Sequence, residues 1–125
     1  MIILDASALL AYLHQEAGWE LVRGVIPESC IGTVNWSEVA QKIAQKGMDV
    51  QAVRNLLEEL GLTIAPFSVE QAEFTAQLWE ESRRFGLSLA DRACLGLAMQ
   101  QQSKVLTADR VWSELTLHIE VQQIR

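Results

Sequence analysis

The chain reads as a single α/β domain over residues 1–125, a three-layer α/β/α sandwich with a mainly parallel central sheet. Three observations predict this. Short apolar runs alternate with stretches whose apolar residues recur at helical spacing. Half of the 125 residues are hydrophobic and 21% are charged, enough to bury one core without disulfides. No internal repeat, linker or low-complexity segment divides the chain. Helices between consecutive short strands imply crossover connections, parallel pairing and a sheet covered on both faces.

Met1–Leu4 is a short buried strand ending at Asp5, and Ser7–His14 follows as a helix with Leu9, Leu10 and Leu13 on one face. A second helix, Trp19–Ile26, stops at Pro27, and Ser29–Thr33 supplies the second strand. The next helix starts near Asn35, with Trp36, Val39, Ala40 and Ile43 at helical spacing up to Gly47. Asp49 caps another, with Val53, Leu56, Leu57 and Leu60 inward and Gly61 closing it. Leu62–Phe67 is the third strand. Ser68 caps a long helix through Trp79 to about Phe85, where Gly86 is the stop and Arg83 and Arg84 complement the helix dipole. Ser88 opens a helix through Met99, Lys104–Leu106 is the fourth strand, Asp109–Leu115 a short helix and Leu117–Ile124 the last strand.

Composition excludes several classes. A net charge of −6 argues against gripping nucleic acid by bulk electrostatics, so any such contact must be local. The opening apolar run has no basic flank and is too short for a signal peptide or a membrane span, which predicts a cytoplasmic protein. Cys30 and Cys94 lack a CxxC partner and read as core thiols. His14 and His118 stand isolated and suggest neither a base nor a metal ligand.

Four acids fall where ligands bind an open parallel sheet, beyond the carboxyl ends of the strands. Asp5 ends the first strand, Glu38 follows the second by one helical turn, Asp91 lies in the first turn of the penultimate long helix and Asp109 follows the fourth strand. Each also fits a structural role: Asp5 and Asp109 as N-caps, Asn35-x-x-Glu38 and Ser88-x-x-Asp91 as capping boxes. Taken together they suggest one cluster. Carboxylates about 5 Å apart repel by about 3 kcal/mol per pair at an effective dielectric of 20, so a cluster persists only with cations or shared protons. All-oxygen ligands select Mg²⁺ or Mn²⁺. Ser7 and Thr107, each two residues from an acid, are placed to orient a carboxylate or serve as turn residues.

With these residues assembled, the chain resembles the PIN-domain family, specifically the VapC-type toxins of bacterial and archaeal toxin-antitoxin pairs. The likeness rests on Ile3-Leu4-Asp5-Ala6-Ser7-Ala8, on Asn35-Trp36-Ser37-Glu38-Val39-Ala40, on Ser88-Leu89-Ala90-Asp91-Arg92-Ala93-Cys94 with Ala98, and on Val105-Leu106-Thr107-Ala108-Asp109-Arg110. It implies a metal-dependent endoribonuclease with Asp5, Glu38, Asp91 and Asp109 as the catalytic, metal-binding quartet, and Ser7 and Thr107 as supporting hydroxyls. Direct ligation then falls to Asp5, Asp91 and Asp109, while Glu38 either ligates a second metal or acts through water as base. The family's further acid near the fourth position is unassigned here, since Arg110 follows Asp109 and Glu114 lies one turn on. The resemblance also implies a homodimer and an antitoxin whose tail packs into a groove among the early helices.

Arg92, Arg110, Lys42 and Lys46 lie near the acids and suggest a local basic rim for RNA phosphates or, equally, a solvated salt-bridging face. Trp36 and Trp112 are either base-stacking residues or, with Trp19 and Trp79, core or dimer-interface residues. Rival readings are a catalytically inactive PIN-like interaction domain and a DNA- or structure-specific nuclease with the same metal chemistry. A phosphate-accepting receiver domain is disfavoured, because Asp5 stands alone and Ala65-Pro66-Phe67 follows the third strand.

Overall fold

The computed structural model describes residues 1–125. Its strands are β1 (Ile2–Leu4), β2 (Ser29–Gly32), β3 (Thr63–Ala65), β4 (Lys104–Thr107) and β5 (Val121–Gln123). All pair in parallel, in the order β3-β2-β1-β4-β5. From β1 the chain winds outward through β2 and β3, then returns to place β4 on the other side of β1. The strand order therefore reverses between β1 and β4, the position at which a doubly wound sheet opens a crevice.

Seven helices cover the sheet: α1 (Ala6–His14), α2 (Trp19–Val25), α3 (Thr33–Gln45), α4 (Val50–Glu59), α5 (Val69–Gln77), α6 (Trp79–Ser82) and α7 (Leu89–Gln100). Strand alternation explains the two cores. Leu4, Ile31 and Leu106 point to one face and pack with Leu9, Val22, Val39 and Leu57 of α1–α4. Ile3, Cys30 and Val105 point to the other and pack with Leu78, Cys94, Leu95 and Trp112. The three-layer parallel architecture is the one expected. No helix is long and apolar enough to cross a membrane.

Several local expectations change. The helix expected near Asn35 begins at Thr33, because β2 runs directly into it with Gly32 as an N-cap that offers no side-chain acceptor. Asn35 is thus inside α3 and caps nothing. The long helix after Ser68 breaks at Leu78 into α5, α6 and a 3-10 turn, Arg83–Phe85. There the Leu78 carbonyl accepts from the Ser82 hydroxyl at 2.6 Å as well as from the Ser82 amide at 3.1 Å. Asp109 starts a 3-10 turn, Arg110–Glu114, rather than an α-helix. The last strand contracts to Val121–Gln123, the residues in register with β4, with the flanking Glu120 carbonyl and Ile124 amide still hydrogen-bonded to it. Of the residues expected inward on α4, Leu57 is buried but Leu56 and Leu60 are 61% and 48% exposed.

Candidate functional site

The carboxyl ends of β1 and β4 meet through side chains as well as backbone. The Asp5 amide donates to the Leu106 carbonyl at 3.2 Å, which joins the two strand ends. Asp5 caps α1, its Oδ1 accepting from the Ala8 amide at 2.8 Å and from the Ser7 hydroxyl at 2.7 Å. The Thr107 hydroxyl donates to its other oxygen. Thr107 also accepts from the Asp109 amide at 3.0 Å, and Ser7 accepts from the Ala108 amide at 2.9 Å. Ser7 and Thr107 therefore lock the two loops that carry Asp5 and Asp109 to one another across about a hundred residues of sequence.

Glu38 lies on α3 just over one turn into the helix. Buried Asn35 donates through Nδ2 to Glu38 Oε1 at 3.3 Å and to the Ala90 carbonyl at 3.1 Å. One amide thus ties the Glu38 helix to the first turn of α7, which carries Asp91. Asp91 forms the expected capping box with Ser88: its Oδ2 accepts from the Ser88 amide at 3.0 Å and its amide donates to the Ser88 hydroxyl at 3.1 Å. The cap and the cluster are compatible, because a carboxylate binding one N–H keeps lone pairs for other partners.

All four acids line one cleft of about 250 Å³, together with Ser7, Asn35 and Lys42. Its electrostatics follow from burial and proximity. Removal from water raises the Asp5 pKa to about 6, against the pull of hydrogen bonds from Thr107, Ser7 and Ala8, and the Asp91 charge adds to the rise. Burial likewise pushes Glu38 up, opposed by the Asn35 hydrogen bond and reinforced by Asp91. Beneath the cleft, burial first, then Asp5, Asp91 and Glu38, hold the Cys94 thiol well above its usual range, so it stays neutral and inert.

No three of these carboxylates converge closely enough to ligate one ion without rearrangement. The donor set nonetheless fits a hard divalent cation. It is all oxygen, and Mg²⁺ commonly keeps several waters and uses only one or two protein carboxylates. The raised proton affinity of Asp5 comes chiefly from desolvation, with a smaller part from the Asp91 charge, and a bound cation would offset both.

The basic residues divide. Lys42 lines the acidic cleft, and Lys46 lies one turn on in a neighbouring cavity. Arg92 turns away, with Nη1 donating to the Thr75 carbonyl at 3.4 Å, and exposed Arg110 lines neither cavity. Trp112 is 1% exposed and belongs to the core, and half-buried Trp36 packs against the other core, so Trp112 is not available to stack a base. Asn35 is the residue whose part the sequence obscured, since Asn-x-x-Glu imitates a capping box. Its signal was a polar residue at a position that the helical period turns inward.

Doubly wound parallel sheets bind ligands at the switch point, and in this chain that position holds the acidic cleft. A family model described as the PIN domain matches residues 2–116, and the chain belongs to that family, a family of nucleases. Among solved structures it is similar to a toxin-antitoxin complex from Klebsiella pneumoniae, with a TM-score of 0.80 and 17% identity over 100% of this chain and 98% of that one. It is also similar to VapBC2 from Rickettsia felis bound to a promoter DNA fragment, with a TM-score of 0.73, 15% identity and 98% of each chain covered. DNA-bound VapBC from Salmonella typhimurium gives 0.73 and 17% over 99% of this chain and 98% of that one. At these identities the likeness establishes the fold. No curated protein sequence matches the chain.

Proposed function

We propose that the chain is a Mg²⁺- or Mn²⁺-dependent endoribonuclease, the toxin of a toxin-antitoxin pair, with Asp5, Glu38, Asp91 and Asp109 as its catalytic carboxylates. The observation that carries this reading is the meeting of those four acids in one cleft of a PIN-domain chain. The similar folds come from toxin-antitoxin complexes, which favours the toxin assignment. We read the protein as cytoplasmic, where RNA and an antitoxin are available to it.

In this mechanism Asp5, Asp91 and Asp109 would hold the cation, in part through water or after a small rearrangement, and it would supply neutralisation of the scissile phosphate and activation of a water. Ser7 and Thr107 fix the Asp5 carboxylate so that its oxygens do not rotate out of the cleft. Glu38, oriented by Asn35 and raised in proton affinity, either joins the ligand set or takes a proton from the attacking water. Lys42 offsets the negative potential that would otherwise repel the backbone.

The antitoxin reading has its own physical support. Exposed Met48, Leu56 and Leu60 flank a cavity of about 350 Å³ whose walls, including Tyr12, Leu13 and Val53, are almost wholly apolar. Such a patch on a free chain suits an apolar segment of a partner, here an antitoxin tail. The chain is also read as a homodimer, for which half-exposed Trp79 and exposed Val69 offer apolar surface on α5 and α6.

The test incubates purified protein with labelled tRNA, other RNAs and single-stranded DNA in Mn²⁺ or Mg²⁺, with a chelator and Asp5→Asn as controls. RNA cleavage that both controls abolish is expected. Cleavage that survives both controls would refute the assignment of this cleft, and preferential cleavage of DNA would refute the substrate class.

A further inference from the structure

A second cavity, of about 410 Å³, adjoins the acidic cleft and shares Ser7, Leu10 and Lys42 with it. Helix geometry explains the continuity. Glu38 and Lys42 on α3 and Lys46 at its C-cap follow at intervals of four residues and so share one face, spanning about 12 Å along the axis. On α1, Ser7, Leu10 and His14 run alongside at intervals of three and four residues. Between the two helices the surface therefore changes sign, from carboxylates at the sheet end to bases at the far end.

The far end is closed by Arg125, which comes from the segment after β5 and is the chain's last residue. Its Nη1 donates to the Ala17 carbonyl at 3.0 Å, which fixes the guanidinium over the cavity, and stands 3.9 Å from Glu16. Lys42 and Lys46 make no ion pair, since the chain's salt bridges involve Arg54, Arg83 and Arg125 only. Three of ten Lys and Arg residues thus converge on one cavity in a chain of net charge −6, with Glu16 the single acidic side chain lining it. Lys42 and Lys46, free of ion pairs beside the acidic cleft, are available to a polyanion that spans both cavities.

We propose that the α1–α3 groove carries single-stranded RNA that flanks the acidic cleft, past Lys42 into a phosphate-binding subsite formed by Lys46, Arg125 and His14. The proposal rests on the nuclease reading and adds to it a path for the strand and two contributors, Arg125 and His14, from distant parts of the chain. A charged groove that tracks the backbone binds single strands without base readout, and its affinity falls with salt.

The experiment is fluorescence anisotropy of a labelled mixed-sequence RNA oligonucleotide with the full chain in chelator, at several salt concentrations. The slope of log affinity against log salt should shrink by about 0.7 in Lys46→Gln and by about 1.4 in Lys46→Gln/Arg125→Gln. Glu16→Gln should tighten binding severalfold, because it removes the one acidic side chain there, while Arg110→Gln should leave the slope unchanged. Because Arg125 also holds the Ala17 carbonyl, Lys46→Glu, which spares that contact, must weaken binding on its own. An unchanged slope in the double variant, parental binding by Lys46→Glu, a drop in Arg110→Gln, or no binding by the parent at low salt would each overturn the proposal. Cleavage in Mn²⁺ is followed in parallel. A lost slope without any parental cleavage supports the subsite and refutes the nuclease reading, and metal-dependent cleavage with an unaltered slope does the reverse.

Discussion

Asp5 is pulled two ways: three hydrogen-bond donors favour its ionised form, and burial with a neighbouring carboxylate opposes it. Burial wins, and the pKa rises from 3.8 to about 6. The native state then binds this proton more tightly than the unfolded chain does. The group's contribution to the stability of metal-free protein is therefore fully present below about pH 4 and is lost as pH rises through 6, a difference of order 3 kcal/mol. Asp5→Asn, which keeps the cap but not the charge, should raise the metal-free melting temperature at pH 8 by several degrees, with the advantage gone at pH 4. Thermal melts at the two pH values check this, and a lowered melting temperature at pH 8 would mean that the cap outweighs the crowding. Asn35 makes the complementary case. Asn35→Ala leaves the Ala90 carbonyl and Glu38 without their donor, which should cost about 1–3 kcal/mol by denaturant titration and reduce cleavage more than binding.

Two glycines distinguish elements that look alike in composition. Gly61 ends α4 with φ +106°, and a Cβ there would stand 2.8 Å from the Pro27 Cα, so Gly61→Ala should destabilise by well over 1 kcal/mol. Gly24, inside α2 with nothing within 4 Å of the corresponding position, should gain about 0.5–1 kcal/mol on replacement by Ala. Urea unfolding of the two variants should give opposite signs. The helices themselves were largely legible from period and caps: Asp5, Asp49, Ser68 and Ser88 all cap as their spacing suggests. The exceptions have local causes. The helix after Ser68 is interrupted at Leu78, whose carbonyl takes both the amide and the hydroxyl of Ser82, and α4 repeats leucine on a face wider than the one the sheet covers, leaving Leu56 and Leu60 in solvent.

For the protein as a whole, the charge pattern predicts that divalent ions stabilise it. Mn²⁺ or Mg²⁺ should raise the melting temperature of the parent, more at pH 8 than at pH 5 because a proton on Asp5 competes with the ion, and should barely move that of Asp5→Asn/Asp91→Asn. An equal shift in that double variant would place the ion elsewhere. The exposed apolar surface predicts association: Leu56→Glu/Leu60→Glu should leave the fold and any RNA cleavage intact yet abolish capture by a co-expressed antitoxin. Light scattering of the free chain tests the dimer independently.

Hydrophobic period, cap residues and the alternation of strand and helix were sufficient to determine a parallel three-layer α/β domain, because these signals are local and each repeats within a few residues. The four acids were nameable for the same reason, as each follows a strand or opens a helix. Their meeting in one cleft depends on β4 returning beside β1, a pairing between residues a hundred positions apart that no local pattern encodes. Tertiary structure alone decided that Asn35 bridges two helices instead of capping one, that Arg92 and Arg110 lie off the cleft, and that Arg125 joins Lys42 and Lys46. Side chains carry their chemistry in the sequence, but direction and neighbours are settled only when distant elements pack.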